Sequence, residues 1–126
     1  MDYKSFNEVP IWKISVNLVE MIYQITEKFP PSERFILIDQ LRRSSVSVAG
    51  NIAESWGRYH YADKIRVLYI ARGEIEETRS HLAIAERMKY CSKDKYIEID
   101  NNYKQLLYEL NKYKKTLFNK SSNITH

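Results

Sequence analysis

The stretch that decides the fold is YIEIDNNYKQLLYELNKYKKTL, residues 96–117. Its apolar residues recur at alternating steps of three and four, the spacing of one helix face in a bundle or coiled coil. No glycine or proline interrupts it, and Ser92 precedes it as a candidate N-cap. The sequence therefore predicts a long helix with one apolar seam: Tyr96, Ile99, Tyr103, Leu106, Leu110, Tyr113 and Leu117.

Three further helical segments precede this one, and residues that break helices separate them. Phe29-Pro30-Pro31 ends the first segment, because a residue before proline is pushed out of the α region. Gly57 ends the second, and the turn at residues 90–92 ends the third. The segments run from about residue 9 to 28 with Asn7 as cap, from a cap at Ser32 to about 56, and from about 61 to 89.

Four helices with short connections predict an all-α fold, an antiparallel up-down-up-down four-helix bundle. A chain of 126 residues suits one domain, 1–126, with an ordered core over about 8–118 and a polar tail, 119–126, that frays. Gly50 and Gly73 lie inside helices, where glycine is unfavourable, so each predicts a close approach between helices.

The composition argues against several classes of protein. No stretch reaches about 18 uncharged apolar residues, so we expect no membrane partner. Cys91 is the only cysteine, which favours a reducing, cytoplasmic location. His60, His81 and His126 are scattered, with no second histidine or cysteine at metal-ligand spacing. The sequence also lacks a phosphate loop and a nucleophile motif, so it predicts neither an enzyme nor a cofactor.

A strip of polar residues runs along the second helix at steps of four and three, which places these residues on one face: Gln40, Ser44, Ser47, Asn51 and Glu54. Small and amide side chains in a row predict a semi-buried, hydrogen-bonded surface. Two interpretations stay open, an internal network that fixes the register of the bundle and a site for an RNA or protein ligand. The guanidinium groups at its head, Arg42 and Arg43, need carboxylates, for which the candidates are Glu54, Glu74 and Glu77.

The formal net charge of +4 lies entirely in the last third of the chain, where residues 89–126 carry eight lysines and four acidic side chains. A lysine-rich helix attracts polyanions, although a merely solvated face has the same composition. The residues that we predict to contact nucleic acid are Lys104, Lys112, Lys114, Lys115 and Lys120 on the fourth helix, with Arg58, Lys64, Arg66 and Arg72 as a second group.

Residues 29–58, FPPSERFILIDQLRRSSVSVAGNIAESWGR, resemble the signature of the four-helix-bundle proteins encoded by intervening sequences in bacterial 23S rRNA genes. Trp12-Lys13 resembles the opening of the family's first helix, and residues 70–77 and 82–90 resemble parts of its third. The resemblance implies a homo-oligomeric ring, typically a pentamer. It also implies kinship with the accessory proteins of diversity-generating retroelements, basic bundles that bind nucleic acid and a reverse transcriptase. No enzymatic activity is known for the family.

Three residues depart from the family pattern, all in or beside turns or helix crossings. Ser55 stands where a glycine is usual, Glu74 where a serine is usual, and Lys89 where a glycine precedes the tyrosine. These departures concern local packing and leave the expected fold unchanged.

Two functions of different classes follow from these observations. In the first, the chain is a non-enzymatic oligomer that associates with RNA or DNA through basic surfaces repeated around a ring. In the second, it is a protein–protein scaffold or accessory subunit that does not contact nucleic acid itself, and the polar strip serves assembly.

Overall fold

The computed structural model describes residues 3–124, which form four α-helices and two short 3-10 turns and contain no strand. The turns are Phe6–Glu8 and Pro31–Glu33. The helices are α1 (Pro10–Thr26), α2 (Leu37–Gly57), α3 (Tyr61–Arg87) and α4 (Lys93–Ile124). No helix within residues 3–124 is long and apolar enough to cross a lipid bilayer.

Hydrogen bonds at both ends of the α2–α3 pair show that these helices run antiparallel. Early in α2, Ser44 Oγ accepts a 2.7 Å hydrogen bond from Thr78 Oγ1, late in α3. Late in α2, Ser55 Oγ donates to the carbonyl of Lys64, early in α3, at 2.8 Å. Ser55, which replaces the family's glycine, therefore ties two helices together.

The other helix pairs follow the same alternation. Tyr69 near the start of α3 meets Lys114 near the end of α4, and Arg79 further along α3 meets Asp100 near the start of α4. Helices α1 and α2 also touch, as do α1 and α4. The four helices therefore close into the predicted up-down-up-down bundle.

The core is built from the apolar stripes that the periodicity predicts. In α4, Tyr96 and Tyr113 are partly buried, and the rest of the seam is buried: Ile99, Tyr103, Leu106, Leu110 and Leu117. The stripe of α3 is buried along its whole length, at Leu68, Ala71, Ile75, Thr78, Leu82 and Ala85. The predicted heptad-like packing is confirmed.

Both predicted N-caps before α1 and α2 are wrong. Asn7 lies inside the turn Phe6–Glu8, and α1 begins at Pro10, whose missing N–H costs nothing in a first turn. Ser32 lies inside the turn Pro31–Glu33, so α2 begins only at Leu37. Ser92 is confirmed as a cap, because its Oγ accepts a 3.1 Å hydrogen bond from the Lys95 N–H.

Two other local predictions differ from the structure. The segment expected to fray from residue 119 continues α4 as far as Ile124, since no glycine or proline interrupts it; residues 125 and 126 lie outside the described chain. Gly50 and Gly73 are exposed, and a Cβ at either position would meet nothing within 4 Å. The close helix approach predicted at these glycines is therefore wrong within the bundle.

The connection between α3 and α4 starts with a left-handed residue. Lys89 has a φ of 65°, and no other non-glycine residue between 3 and 124 has a positive φ. The Tyr90 N–H donates to the Ala85 carbonyl, and the Lys89 N–H to the Glu86 carbonyl, both at 2.9 Å. This is the Schellman arrangement, in which glycine is preferred because it lacks a Cβ. Lys89, which departs from the family's glycine, therefore carries backbone strain.

Replacing Lys89 with glycine is expected to raise the free energy of unfolding by about 1 kcal/mol. A left-handed non-glycine residue costs roughly 1–2 kcal/mol, and the greater freedom of glycine in the unfolded chain offsets part of the gain. Urea unfolding measures the difference. Lys89→Ala keeps the Cβ and serves as the control, and an equal gain in both variants would contradict the backbone explanation.

Candidate nucleic-acid interface

A surface of alternating basic and aromatic side chains lies along α3 and α4, and we call it the basic–aromatic face. On α3 it contains Tyr69 and Arg72. On α4, steps of four and three place the remaining exposed members on one side of the helix. These members are Tyr108, Lys112 and Lys115, with the buried Lys114 beside them.

Lys114 joins the two helices of this face. Its side chain is buried, and its ammonium nitrogen lies 3.9 Å from the centre of the Tyr69 ring, in cation–π contact. Burial lowers the pKa of Lys114, and the positive charge of Arg72 lowers this pKa further. The charge of Arg72 therefore acts on an ammonium that already lies against an aromatic ring, and this ring is itself 58% exposed.

The outer part of the face is open to solvent. Arg72 and Lys115 are exposed, and neither has a carboxylate partner within residues 3–124. Tyr108 is 59% exposed, with the Lys112 ammonium 5.4 Å from its ring centre. The cations Arg72 and Lys115 can contact phosphates. The exposed tyrosine rings can stack on bases.

Several of the other predicted basic residues are paired with carboxylates. The N–O distances are 2.7 Å for Arg58–Glu54, 4.0 Å for Arg66–Asp63, 3.7 Å for Lys104–Asp100 and 3.8 Å for Lys112–Glu109. Arg58, Arg66, Lys104 and Lys112 are all solvent-exposed, where ion pairs are weak, so a phosphate can compete for these cations.

Lys64 has a structural role that the sequence did not reveal. Its ammonium donates to the Trp56 carbonyl at 2.6 Å and to the Ser55 carbonyl at 3.4 Å, and burial lowers its pKa. This side chain therefore closes the end of α2, and its contact with nucleic acid stays a prediction. Lys120 lies apart from the face, near the end of α4.

An ion pair links α3 and α4 away from the face, nearer the turn that joins these two helices. Arg79 Nε donates to Asp100 Oδ1 at 2.8 Å, and Arg79 also pairs with Glu76 at 2.9 Å. The Asp100 carboxylate is only 9% exposed. The hydrogen bond to Asp100 is the main reason that the pKa of Arg79 is raised. The pairing joins residues 21 positions apart, so helix periodicity alone could not have found it.

The polar strip of α2 is semi-buried only in its middle. Ser44 is buried against Thr78, and Asn51 is half-buried and donates to the Ser47 carbonyl at 2.9 Å. Gln40 and Glu54 at the two ends are exposed, contrary to the prediction. The hydrogen bond between Ser44 and Thr78 supports the interpretation as an internal network that fixes helix register.

The carboxylates predicted for the two arginines at the head of the strip are the wrong ones. Arg42 turns towards α1, where its Nε donates a 2.9 Å hydrogen bond to Thr26 Oγ1. Its guanidinium lies 4.5 Å from the centre of the Tyr23 ring. Its nearest carboxylate is that of Glu27, at 3.8 Å. Arg43 instead pairs with Asp39 at 3.4 Å, one turn earlier on α2. Helix geometry favours such i,i+4 partners over distant ones.

Two carboxyl groups, Glu74 and Glu77, interact on the outer side of α3. Burial raises the pKa of Glu74, and a hydrogen bond with Glu77 raises it further. His81 lies on the same side, with Nε2 3.7 Å from the Glu77 carboxylate. Glu77 therefore faces Glu74 and His81 rather than an arginine. Glu74, where the family has serine, introduces this unfavourable carboxyl pair.

Replacing Glu74 with glutamine is expected to raise the free energy of unfolding at neutral pH. The raised pKa means that the folded protein disfavours the Glu74 carboxylate, so wild-type stability falls as the pH rises through this pKa. Glutamine removes that loss, and the advantage should vanish below about pH 4, where glutamate is protonated in both states. Urea unfolding at both pH values tests this, with the exposed Glu20→Gln as control. A pH-independent gain would contradict it.

The residues that could serve metal or thiol chemistry do not gather into one site in the described chain, which holds a single cysteine. Among residues 3–124, no three His, Cys, Asp or Glu side chains come together as a metal-binding group. The half-buried Cys91 lines an open groove of about 660 Å³ between the end of α1 and the α3–α4 turn. Burial and the charge of Glu86 raise the pKa of Cys91, which keeps it as a thiol at neutral pH.

The fold and the surface define a class of protein: a small all-α four-helix bundle that carries a basic and aromatic face on its last two helices. Within that class, the chain belongs to the 23S rRNA-intervening sequence protein family, whose model matches residues 7–112. No curated protein matches the chain significantly.

A similar solved structure is the 1.70 Å crystal structure of a protein with unknown function from the S23 ribosomal protein family of Bacteroides thetaiotaomicron VPI-5482. It shares 25% sequence identity with the chain and superposes with a TM-score of 0.77. The match covers 83% of this chain and 98% of that one.

Proposed function

We propose that this protein is a non-enzymatic, cytoplasmic homo-oligomer that associates with RNA or DNA through the basic–aromatic face. The observation that carries the proposal is the buried Lys114 ammonium 3.9 Å from the centre of the exposed Tyr69 ring, with Arg72 near enough for its charge to act on Lys114. Like charges repel, so two adjacent cations with no carboxylate between them are best stabilised by a bound anion.

The face has the chemistry of a surface for nucleic acid rather than for a small anion. Phosphates contacted by Arg72 and Lys115 release counterions, which is the main source of sequence-independent affinity. Bases that leave a duplex or a loop can stack on Tyr69 and Tyr108, which are both more than half exposed. A single copy provides few such contacts, so affinity depends on several copies acting together.

Assembly is the second part of the proposal. Exposed apolar side chains lie on α3, just after its end and just before α2, and a second copy could remove this apolar surface from water. They are Ile36 at 61% exposed, Met88 at 55%, Ile84 at 47% and Ile70 at 45%. A second copy that covers them would build the ring implied by the family and repeat the basic–aromatic face around it.

The proposal of a non-enzymatic role is supported by the environment of the single cysteine. A catalytic thiol is activated by a lowered pKa, whereas burial raises that of Cys91. The alternative function is a protein–protein scaffold or accessory subunit, for example for a reverse transcriptase. The exposed apolar side chains Ile36, Ile70, Ile84 and Met88 favour this alternative equally.

Filter binding of structured RNA and duplex DNA, together with a native mass, tests the proposal. We expect binding at low salt that weakens steeply as salt rises, and a mass above that of the monomer. Ile84→Asp should lower the mass, whereas Ile97→Asp, equally exposed but on α4, should not. If low salt reveals no binding, the nucleic-acid function is refuted. A mass that changes with Arg43→Ala or Asn51→Ala but not with α4 lysine variants would then favour the scaffold.

A further inference from the structure

A small pocket lies at the end of the bundle where the start of the chain, the end of α2, the start of α3 and the end of α4 come together. Its volume is about 280 Å³. This is just below the range of roughly 300–1,000 Å³ for ligand sites, so it suits one small ligand. The pocket is lined by Tyr3, Trp56, Tyr61, Lys64, Tyr113, Thr116, Leu117 and Lys120.

The lining combines cations, hydroxyl donors and aromatic rings. Among the residues that the structure describes, the lining contains two lysines and no carboxylate. The phenols of Tyr3 and Tyr61 lie close enough to Tyr113 to raise its pKa, after the larger effect of burial. The Tyr113 phenol therefore keeps its proton at neutral pH and can donate a hydrogen bond to an anion.

The two lysines have different roles in this pocket. Lys64 is held by the carbonyls of Trp56 and Ser55 at the end of α2, so it contributes a fixed positive charge. Lys120 is half-buried and has no carboxylate partner within residues 3–124, so its ammonium is available to a ligand. A partly desolvated ammonium beside phenol donors is a phosphate-binding arrangement.

We propose that this pocket binds one nucleotide, with its phosphate on Lys120 and the Tyr113 hydroxyl and its base against the rings of Trp56 and Tyr61. The nucleotide is either a free mononucleotide or one unit of a single strand, since the chemistry recognised is the same. The pocket is distinct from the basic–aromatic face, and this inference goes beyond the function proposed for that face.

Fluorescence of Trp56 provides the test, in a Trp12→Phe background that leaves one tryptophan. Addition of adenosine monophosphate should change the emission saturably. Adenosine alone and inorganic phosphate alone should each bind at least about 10-fold more weakly, because each satisfies half of the pocket. If the monophosphate leaves the emission unchanged at millimolar concentration, or if adenosine binds as well as the monophosphate, the proposal is overturned.

Substitutions separate this pocket from the basic–aromatic face. Lys120→Ala and Lys120→Gln should each weaken binding of the monophosphate by about 10-fold or more, as expected for loss of a charge-assisted contact. Lys115→Ala, on the basic–aromatic face, should leave it unchanged. Equal affinity in the Lys120 variants and the wild type would overturn the assignment of the phosphate.

A competition arm distinguishes the two sources of the nucleotide. A short single-stranded oligonucleotide that displaces the monophosphate at lower concentration supports a strand as the ligand, and one that fails to displace it supports a free mononucleotide. Both results support the pocket. Monophosphate binding that persists when the basic–aromatic face is disabled shows that the pocket is correct even if the proposed function of the face fails.

Discussion

Reversing two charges of the basic–aromatic face, in the variant Arg72→Glu/Lys115→Glu, is expected to weaken binding to RNA and DNA at low salt by about 100-fold or more. Each reversal removes a phosphate contact with its counterion release and adds a repulsive carboxylate. Both side chains are exposed and without an ion-pair partner within residues 3–124, so the fold should tolerate the change. Filter binding against the same RNA and DNA measures the loss.

The matched control for this variant changes the net charge by the same amount at Lys13 on α1 and at Lys28, just after this helix. Both side chains are exposed, and α1 makes no contact with α3. Lys13→Glu/Lys28→Glu should weaken binding far less, because neither lysine belongs to the basic–aromatic face. An equal loss in both variants would show that only the net charge matters, and it would contradict the location of the interface.

Removing Arg79 is expected to have the largest effect on stability, with Arg79→Ala lowering the free energy of unfolding by about 3 kcal/mol or more. The reason is the Asp100 carboxylate, which is 9% exposed and would keep only Lys104 at 3.7 Å. An uncompensated buried charge is far more costly than a lost surface contact. Urea unfolding at neutral pH measures the change.

Arg66 supplies the control for this prediction, because it also sits on α3 and also pairs with an aspartate. Its pair with Asp63 spans 4.0 Å between side chains that are 57% and 44% exposed. Arg66→Ala should therefore cost less than about 1 kcal/mol. If Arg79→Ala costs no more than Arg66→Ala, the buried pair does not hold α3 against α4.

The helices and core follow from the sequence because their signals are local and repeated. The α4 seam, residues 96–117, recurs over six steps of three and four, and the packing follows that pattern. The residues at which α1 and α2 begin could not be predicted from such periodicity. A single serine or asparagine is a weak signal, and the prolines at 10 and 31 decide where the chain first turns.

The candidate site was predicted only in part, for a different physical reason. Lysine counts located the positive charge on α4, but charge alone does not reveal which cations are already neutralised or buried. The contact between Lys114 and Tyr69 joins residues of two different helices, α4 and α3. The carbonyls that hold Lys64, a residue of α3, belong to α2. Such tertiary pairs have no spacing rule within one helix, so only the folded chain shows them.

The measurement that tests the central claim most directly is the slope of log affinity against log salt concentration for RNA binding by the protein. We expect a steep negative slope, about −0.9 for each phosphate contacted on a duplex. The slope for Arg72→Glu/Lys115→Glu should be clearly shallower. The Lys13→Glu/Lys28→Glu control should keep the wild-type slope. No binding at low salt, or the same slope in wild type and both variants, would contradict it.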